Sequence, residues 1–69
     1  MKIITEKAIK ELYDAIQWQQ AICNKYVKLF GQDENITRSE FNVLTGMEEA
    51  FKIVAGMTST DYFIANLDK

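Results

Sequence analysis

The sequence has no histidine and no proline, and its 69 residues include a single cysteine and three glycines. Without histidine the commonest general acid–base side chain is missing, and one cysteine provides neither an internal disulfide nor a Cys/His zinc set. We therefore expect no enzyme activity, no bound metal and no cofactor. Domains this small rarely gain more than a few kcal/mol from their core, so without disulfides or metals they usually oligomerise.

Long hydrophobic runs are also lacking. No stretch approaches the roughly 20 apolar residues of a membrane span, and none has the pattern of a signal peptide. We therefore expect a cytoplasmic protein with a reduced cysteine and no membrane contact. Residues 1–30 carry five lysines against three acidic residues, whereas residues 31–69 carry three basic against seven acidic residues. Halves of opposite charge favour packing on each other over binding to nucleic acid.

The longest regular stretch covers residues 5–30, which contain no glycine and keep helical periodicity throughout. Thr5 is a suitable N-cap, and Glu6 follows it in the first turn, where the helix dipole favours a negative charge. The apolar positions of this predicted helix sweep about 220° of its surface, far more than the about 100° stripe of an ordinary surface helix. One neighbouring helix cannot cover so wide an arc, so we expect either two neighbours or contact with another chain.

A second helix is predicted over residues 38–55. Thr37 at the N-cap and Glu40 three residues later form a capping box, and the flanking pair Ile36 and Phe41 has the spacing of a hydrophobic staple. These local signals predict that the helix begins at or next to the residue after Thr37.

A short third helix is predicted over residues 59–67, with Thr58 as its N-cap and Asp61 in its first turn. The expected fold is therefore all-α, a single domain over residues 1–69. A long first helix and an antiparallel second helix form a hairpin, the short C-terminal helix packs back on it, and two copies assemble into a dimeric helical bundle.

The first helix carries the candidate interface. Gln19 lies near the middle of the apolar arc, where a buried amide needs a hydrogen-bond partner. It pairs either with its own copy across a two-fold axis, as single polar residues do in coiled coils, or with an internal backbone group or Tyr26. Trp18 is either an interface anchor or a residue at the rim of the core. The seven candidate interface residues are Tyr13, Ile16, Trp18, Gln19, Ile22, Tyr26 and Leu29.

Cys23 lies on the same apolar arc as these candidates. A free cysteine in an apolar setting packs as a small hydrophobic side chain, and burial keeps its thiol protonated. We therefore expect Cys23 to be a buried structural residue and not a redox site.

These features predict a small non-enzymatic regulatory or adaptor protein that acts by binding an as yet unidentified protein, with a homodimer as its simplest assembly. Small chains rich in lysine, isoleucine and asparagine and free of histidine are frequent among accessory proteins of phages and mobile elements. No motif in the sequence identifies a family.

Two other functions fit less well. The first is a nucleic-acid-associated regulator, because the start of the second helix resembles a helix opening in helix-turn-helix domains. The polar face that follows carries Glu48 and Glu49, however, and is too acidic for a DNA groove. The second is a small-ligand-binding protein, with a pocket lined by Tyr13, Trp18, Gln19 and Tyr26.

Overall fold

The computed structural model describes residues 5–67, so residues 1–4 and 68–69 of the predicted domain lie outside the described part. Three helices follow one another: α1 (Glu6–Phe30), α2 (Asn35–Ala55) and α3 (Ser59–Ala65). The two long helices pack against each other as an antiparallel hairpin, and α3 packs back on the pair. The predicted all-α hairpin is thereby confirmed. Between residues 5 and 67 no helix combines the length and hydropathy needed to cross a bilayer.

The starts of α1 and α3 and the end of α2 lie where local signals in the sequence predict them. The side-chain oxygen of Thr5 accepts a hydrogen bond from the backbone N–H of Ala8 at 3.2 Å, and that of Thr58 accepts one from Asp61 at 3.1 Å. Gly56 adopts a left-handed conformation with φ 73° and ends α2. Glycine reaches this conformation without the steric penalty that a Cβ atom imposes.

The predicted start of α2 is wrong. The helix begins at Asn35 with Glu34 at its N-cap position, so Thr37 lies in the first turn and caps nothing. Its side chain is fully buried, and its hydroxyl donates a 2.8 Å hydrogen bond to the backbone carbonyl of Gly31. Burial against the end of α1 therefore outweighs the local capping preference, because the same hydroxyl satisfies a carbonyl that the helix end leaves unpaired.

The end of α3 also differs from the prediction, since the helix stops at Ala65 and not at residue 67. The backbone N–H of Asn66 is shared between the carbonyls of Tyr62 and Phe63, at 3.2 and 3.1 Å, which tightens the last turn. Tight final turns of this kind are common where helices end.

The core between the helices is small. It consists of four buried apolar residues, Ile16, Cys23, Leu44 and Phe51. An aromatic cluster extends it towards α3: the ring of Tyr62 lies 5.1 Å from that of Tyr13 and 5.5 Å from that of Phe51, measured between centroids. Edge-on and tilted ring pairs at such distances add stability beyond the area they bury.

The hydrogen bond of Thr37 generates a stability prediction. Replacing Thr37 with valine keeps the shape of the side chain but leaves the Gly31 carbonyl without its partner, so we expect a loss of about 1–2 kcal/mol in the free energy of unfolding. Thr37→Ser should retain most of the stability. The matched control is Thr45→Val, because the exposed Thr45 hydroxyl only donates back to Phe41 within its own helix. Equal urea midpoints for Thr37→Val and Thr45→Val would show that the Gly31 bond is unimportant.

Candidate protein-interaction face

Helix α3 covers one side of the α1–α2 pair. Its Tyr62 ring packs on Tyr13 of α1, and its Ser59 hydroxyl donates a 2.6 Å hydrogen bond to the carboxylate of Glu48 on α2. Tyr13 and Glu48 therefore mark the side of each long helix that faces α3.

The opposite side of the pair is open. At about 100° per residue, Ile22 projects about 180° away from Tyr13, and Val43 projects about 140° away from Glu48. The other apolar side chains on this side lie at least about 120° from the same two markers. Together they form one surface, which we call the apolar face. It consists of Ala15, Trp18, Ile22 and Leu29 from α1 and of Ile36, Val43, Ala50 and Ile53 from α2.

Most of the apolar face is exposed to solvent. Trp18 is 72% exposed and Ile53 is 80% exposed, and of the eight residues only Ile22 is partly buried. Single exposed apolar residues are normal on protein surfaces, whereas a contiguous patch usually marks an interaction site. Eight apolar residues on two adjacent helices form such a patch.

Most charged side chains of α2 lie on the side of the helix away from Val43. Four of its five charged residues project about 120° to 180° away from Val43. These four are Arg38, Glu48, Glu49 and Lys52. The fifth, Glu40, is half-buried in the seam between the two helices, where its backbone carbonyl accepts the side-chain N–H of Gln19. On the α2 side the face is therefore mainly apolar, with the polar Ser39 one turn before Val43 and Glu49 one turn before Ile53.

On α1 the charged side chains on the same side as Trp18 include Lys7, Glu11 and Lys25, and all three are exposed. The one ion pair among residues 5–67 joins Lys10 to Asp14 at 3.0 Å, elsewhere on α1. The hydrogen bond from Lys10 to the Asp14 carboxylate raises the pKa of Lys10. Glu11 and Lys25 take part in no ion pair within residues 5–67, so both remain available to a partner.

The size of the face is that of a large apolar patch on a single chain. At 1.5 Å per residue, the span from Ile36 to Ile53 covers about 25 Å, and two helices of about 10 Å diameter make it about 20 Å wide. The projected area is therefore about 500 Å², which lies in the upper part of the range of about 300–600 Å² for the largest apolar patch of a monomer.

The structure separates the seven candidate interface residues. Three of them lie on the apolar face, namely Trp18, Ile22 and Leu29. Ile16 and Gln19 are buried between the long helices. Tyr13 belongs to the aromatic cluster beneath α3, and Tyr26 packs edge-on against Phe30 with ring centroids 5.6 Å apart. Because Tyr13 and Trp18 face opposite sides of α1, the four residues suggested for a ligand pocket do not line a common cavity.

Gln19 finds its partners inside the chain. Only 8% of the residue is exposed, and its Nε2 donates to the backbone carbonyl of Glu40 at 3.0 Å and to the carboxylate of Glu40 at 3.5 Å. Of the two alternatives for this amide, the internal bond to a backbone group is the one observed. Gln19 therefore fixes the position of α2 on α1.

Cys23 is fully buried, as predicted. Burial raises the pKa of its thiol, and the Gln19 Nε2 group 3.9 Å from the sulfur opposes this shift only in part. A protonated and inaccessible thiol is a poor nucleophile and a poor metal ligand.

The half of the apolar face that belongs to α2 was not predicted. Ile36, Val43 and Ala50 recur at intervals of seven residues, which is about two helical turns, so they fall on one line along the helix. That repeat was the feature of the sequence that could have predicted this part of the apolar face.

No protein-family model matches this chain, and comparisons with curated proteins and with solved structures give no significant match. The proposed function therefore depends on the structure of this chain alone.

The buried thiol generates a prediction about pH. Because the folded pKa of Cys23 lies above its ordinary value of 9.0, the unfolded chain ionises first as the pH rises. The stability tied to the protonated thiol is therefore complete below pH 9 and declines above it. Between about pH 8 and pH 10 the wild type should lose more unfolding free energy than Cys23→Ala. Parallel pH profiles, or fast labelling of the native thiol, would contradict burial.

Proposed function

We propose that this chain is a small non-enzymatic regulatory or adaptor protein that acts by binding protein through the apolar face. The first occupant of the face is a second copy of the chain, which makes the protein a homodimer. The proposal depends on one observation: eight apolar residues form a contiguous open surface on the side of the hairpin opposite α3.

The free energy available from this face is large for a domain of this size. Covering about 500 Å² of apolar surface contributes on the order of 12 kcal/mol before the entropic cost of association is subtracted. Domains below about 70–80 residues rarely gain more than about 3–5 kcal/mol from a single core. With four apolar residues buried in the chain's own core, association through the face is a major source of stability.

A second copy suits the face because most oligomers of soluble proteins are symmetric, and two-fold dimers are the commonest. In such a dimer the same patch lies on both sides of the contact. A flat surface of two antiparallel helices packs on its own copy as a four-helix bundle, in which the apolar positions of all four helices share one core.

Protein is a better ligand than nucleic acid for this surface. Binding to a phosphate backbone requires several lysine or arginine contacts, and the apolar face offers Lys7 and Lys25 at its margin. The exposed charges of α2 include Glu49, which repels phosphate. Catalysis receives no support from Cys23, since its thiol is buried and protonated.

The oligomeric state tests this proposal. We expect a dimer by sedimentation velocity at tens of micromolar, and Val43→Asp should shift it to monomer because a desolvated carboxylate is costly in an apolar contact. The matched control is Ile64→Asp, which places the same change at a 58% exposed isoleucine on α3. A wild-type monomer, or equal effects of the two substitutions, would overturn the proposal.

The same pair of variants tests whether the dimer is needed to bind a partner protein. Tagged wild type and Ile64→Asp should retain proteins from the native cell that Val43→Asp loses. If all three forms retain the same proteins, the binding surface lies elsewhere on the chain.

A further inference from the structure

We infer that the second copy packs antiparallel to the first, about a two-fold axis that crosses α1 at Trp18, so that Glu11 of each chain pairs with Lys25 of the other. This inference rests on the proposed function and specifies how the second copy occupies the apolar face.

Two charges on α1 are placed symmetrically about Trp18. Glu11 precedes Trp18 by seven residues and Lys25 follows it by seven, so the three side chains fall on one line along the helix. The two charges lie about 10 Å on either side of Trp18, at 1.5 Å per residue. Both are exposed, and within residues 5–67 neither takes part in an ion pair.

This arrangement distinguishes between the two possible directions of the second copy. In an antiparallel contact centred on Trp18, Glu11 of each chain lies next to Lys25 of the other, which gives two attractive pairs. In a parallel contact Glu11 faces Glu11 and Lys25 faces Lys25, which gives two repulsive pairs. Charges at the margin of an apolar contact select direction and register in this way.

Helix α2 agrees with the same axis. The Tyr13 ring lies 6.2 Å from the Phe51 ring, and the Thr37 hydroxyl lies 3.5 Å from the Tyr26 carbonyl. Interpolation along the antiparallel pair places Trp18 level with the middle of α2, between Val43 and Gly46. A two-fold axis that runs perpendicular to the helices, in the plane between the two copies, therefore passes close to both Trp18 and the middle of α2.

One apolar pair of α2 is symmetric about that point. Ile36 and Ile53 lie at equal distances on either side of the midpoint between Val43 and Gly46. The rotation brings α2 onto its own copy, with Val43 against Gly46 at the centre and Ile53 at the outer edge of the contact. A Cβ atom built at Gly46 would meet nothing within 4 Å in its own chain, so internal packing does not require this glycine. Its lack of a side chain leaves room for Val43 of the second copy.

The contact area is sufficient for such a dimer. The apolar face projects to about 500 Å² per chain, or about 1,000 Å² for the two copies together, which reaches the lower bound expected of a specific interface. The apolar residues supply the affinity, and the Glu11–Lys25 pairs fix the direction.

Charge reversal tests the direction. Glu11→Lys alone and Lys25→Glu alone each turn two attractive pairs into two repulsive ones, so we expect each to weaken the dimer about tenfold in Kd. The combined variant Glu11→Lys with Lys25→Glu restores both pairs and should return to within about threefold of the wild type. These differences should shrink in 1 M salt, where charges are screened within about 3 Å.

Two matched controls introduce similar charges on the other side of α1. Gln17→Lys and Asn24→Glu project about 140° and 160° away from Ile22, and neither should change the Kd by more than about twofold. Far-UV circular dichroism at high concentration verifies that each variant remains helical.

The possible results distinguish the antiparallel register from the proposal that the chain dimerises through the apolar face. Weakening by both single reversals with recovery in the combined variant supports the antiparallel dimer. A wild-type dimer that Val43→Asp dissociates, but in which the combined reversal fails to recover, overturns the antiparallel register and leaves the apolar face as the contact. A wild type that sediments as a monomer at all concentrations overturns both.

Discussion

The apolar arcs of the two long helices are wider than the surface that the helices cover on each other. The third helix, with only seven residues, covers only part of the remainder. Because α3 packs through Tyr62 onto Tyr13 and Phe51, it protects one side of the hairpin and leaves the other to solvent. The apolar face is the direct consequence of this imbalance. In a domain with a core of four buried apolar residues, whatever covers that face contributes to the stability of the fold itself.

Internal hydrogen bonds hold the two long helices in the register that assembles the face. Gln19 in α1 binds the backbone of Glu40 near the middle of α2, and Thr37 binds the Gly31 carbonyl where the chain turns between them. These bonds place Ile22 and Val43 on the same side of the pair. The polar residues of the core therefore position an apolar surface to which they do not belong.

Local chemistry predicted much of this architecture, and tertiary context determined the rest. The caps at Thr5 and Thr58 and the glycine after α2 follow from preferences within a few residues, so the sequence was enough to locate them. The start of α2 was mispredicted because the capping signal at Thr37 competes with a buried position that only the packed hairpin creates. The composition of the apolar face could not be predicted from α1 alone, since the amphipathic pattern does not reveal which part of an arc a neighbour will cover.

A second copy on the apolar face would bury Trp18, the single tryptophan, so the fluorescence of this residue measures dimerisation directly. In the isolated chain this indole is 72% exposed to water. Its fluorescence should therefore shift to shorter wavelength as the protein concentration rises through the dimerisation range, with the helical circular dichroism signal retained. Ile64→Asp should follow the wild type, and Val43→Asp should keep the emission of an exposed indole at every concentration. An emission spectrum that stays at long wavelength in the wild type up to hundreds of micromolar would contradict the account.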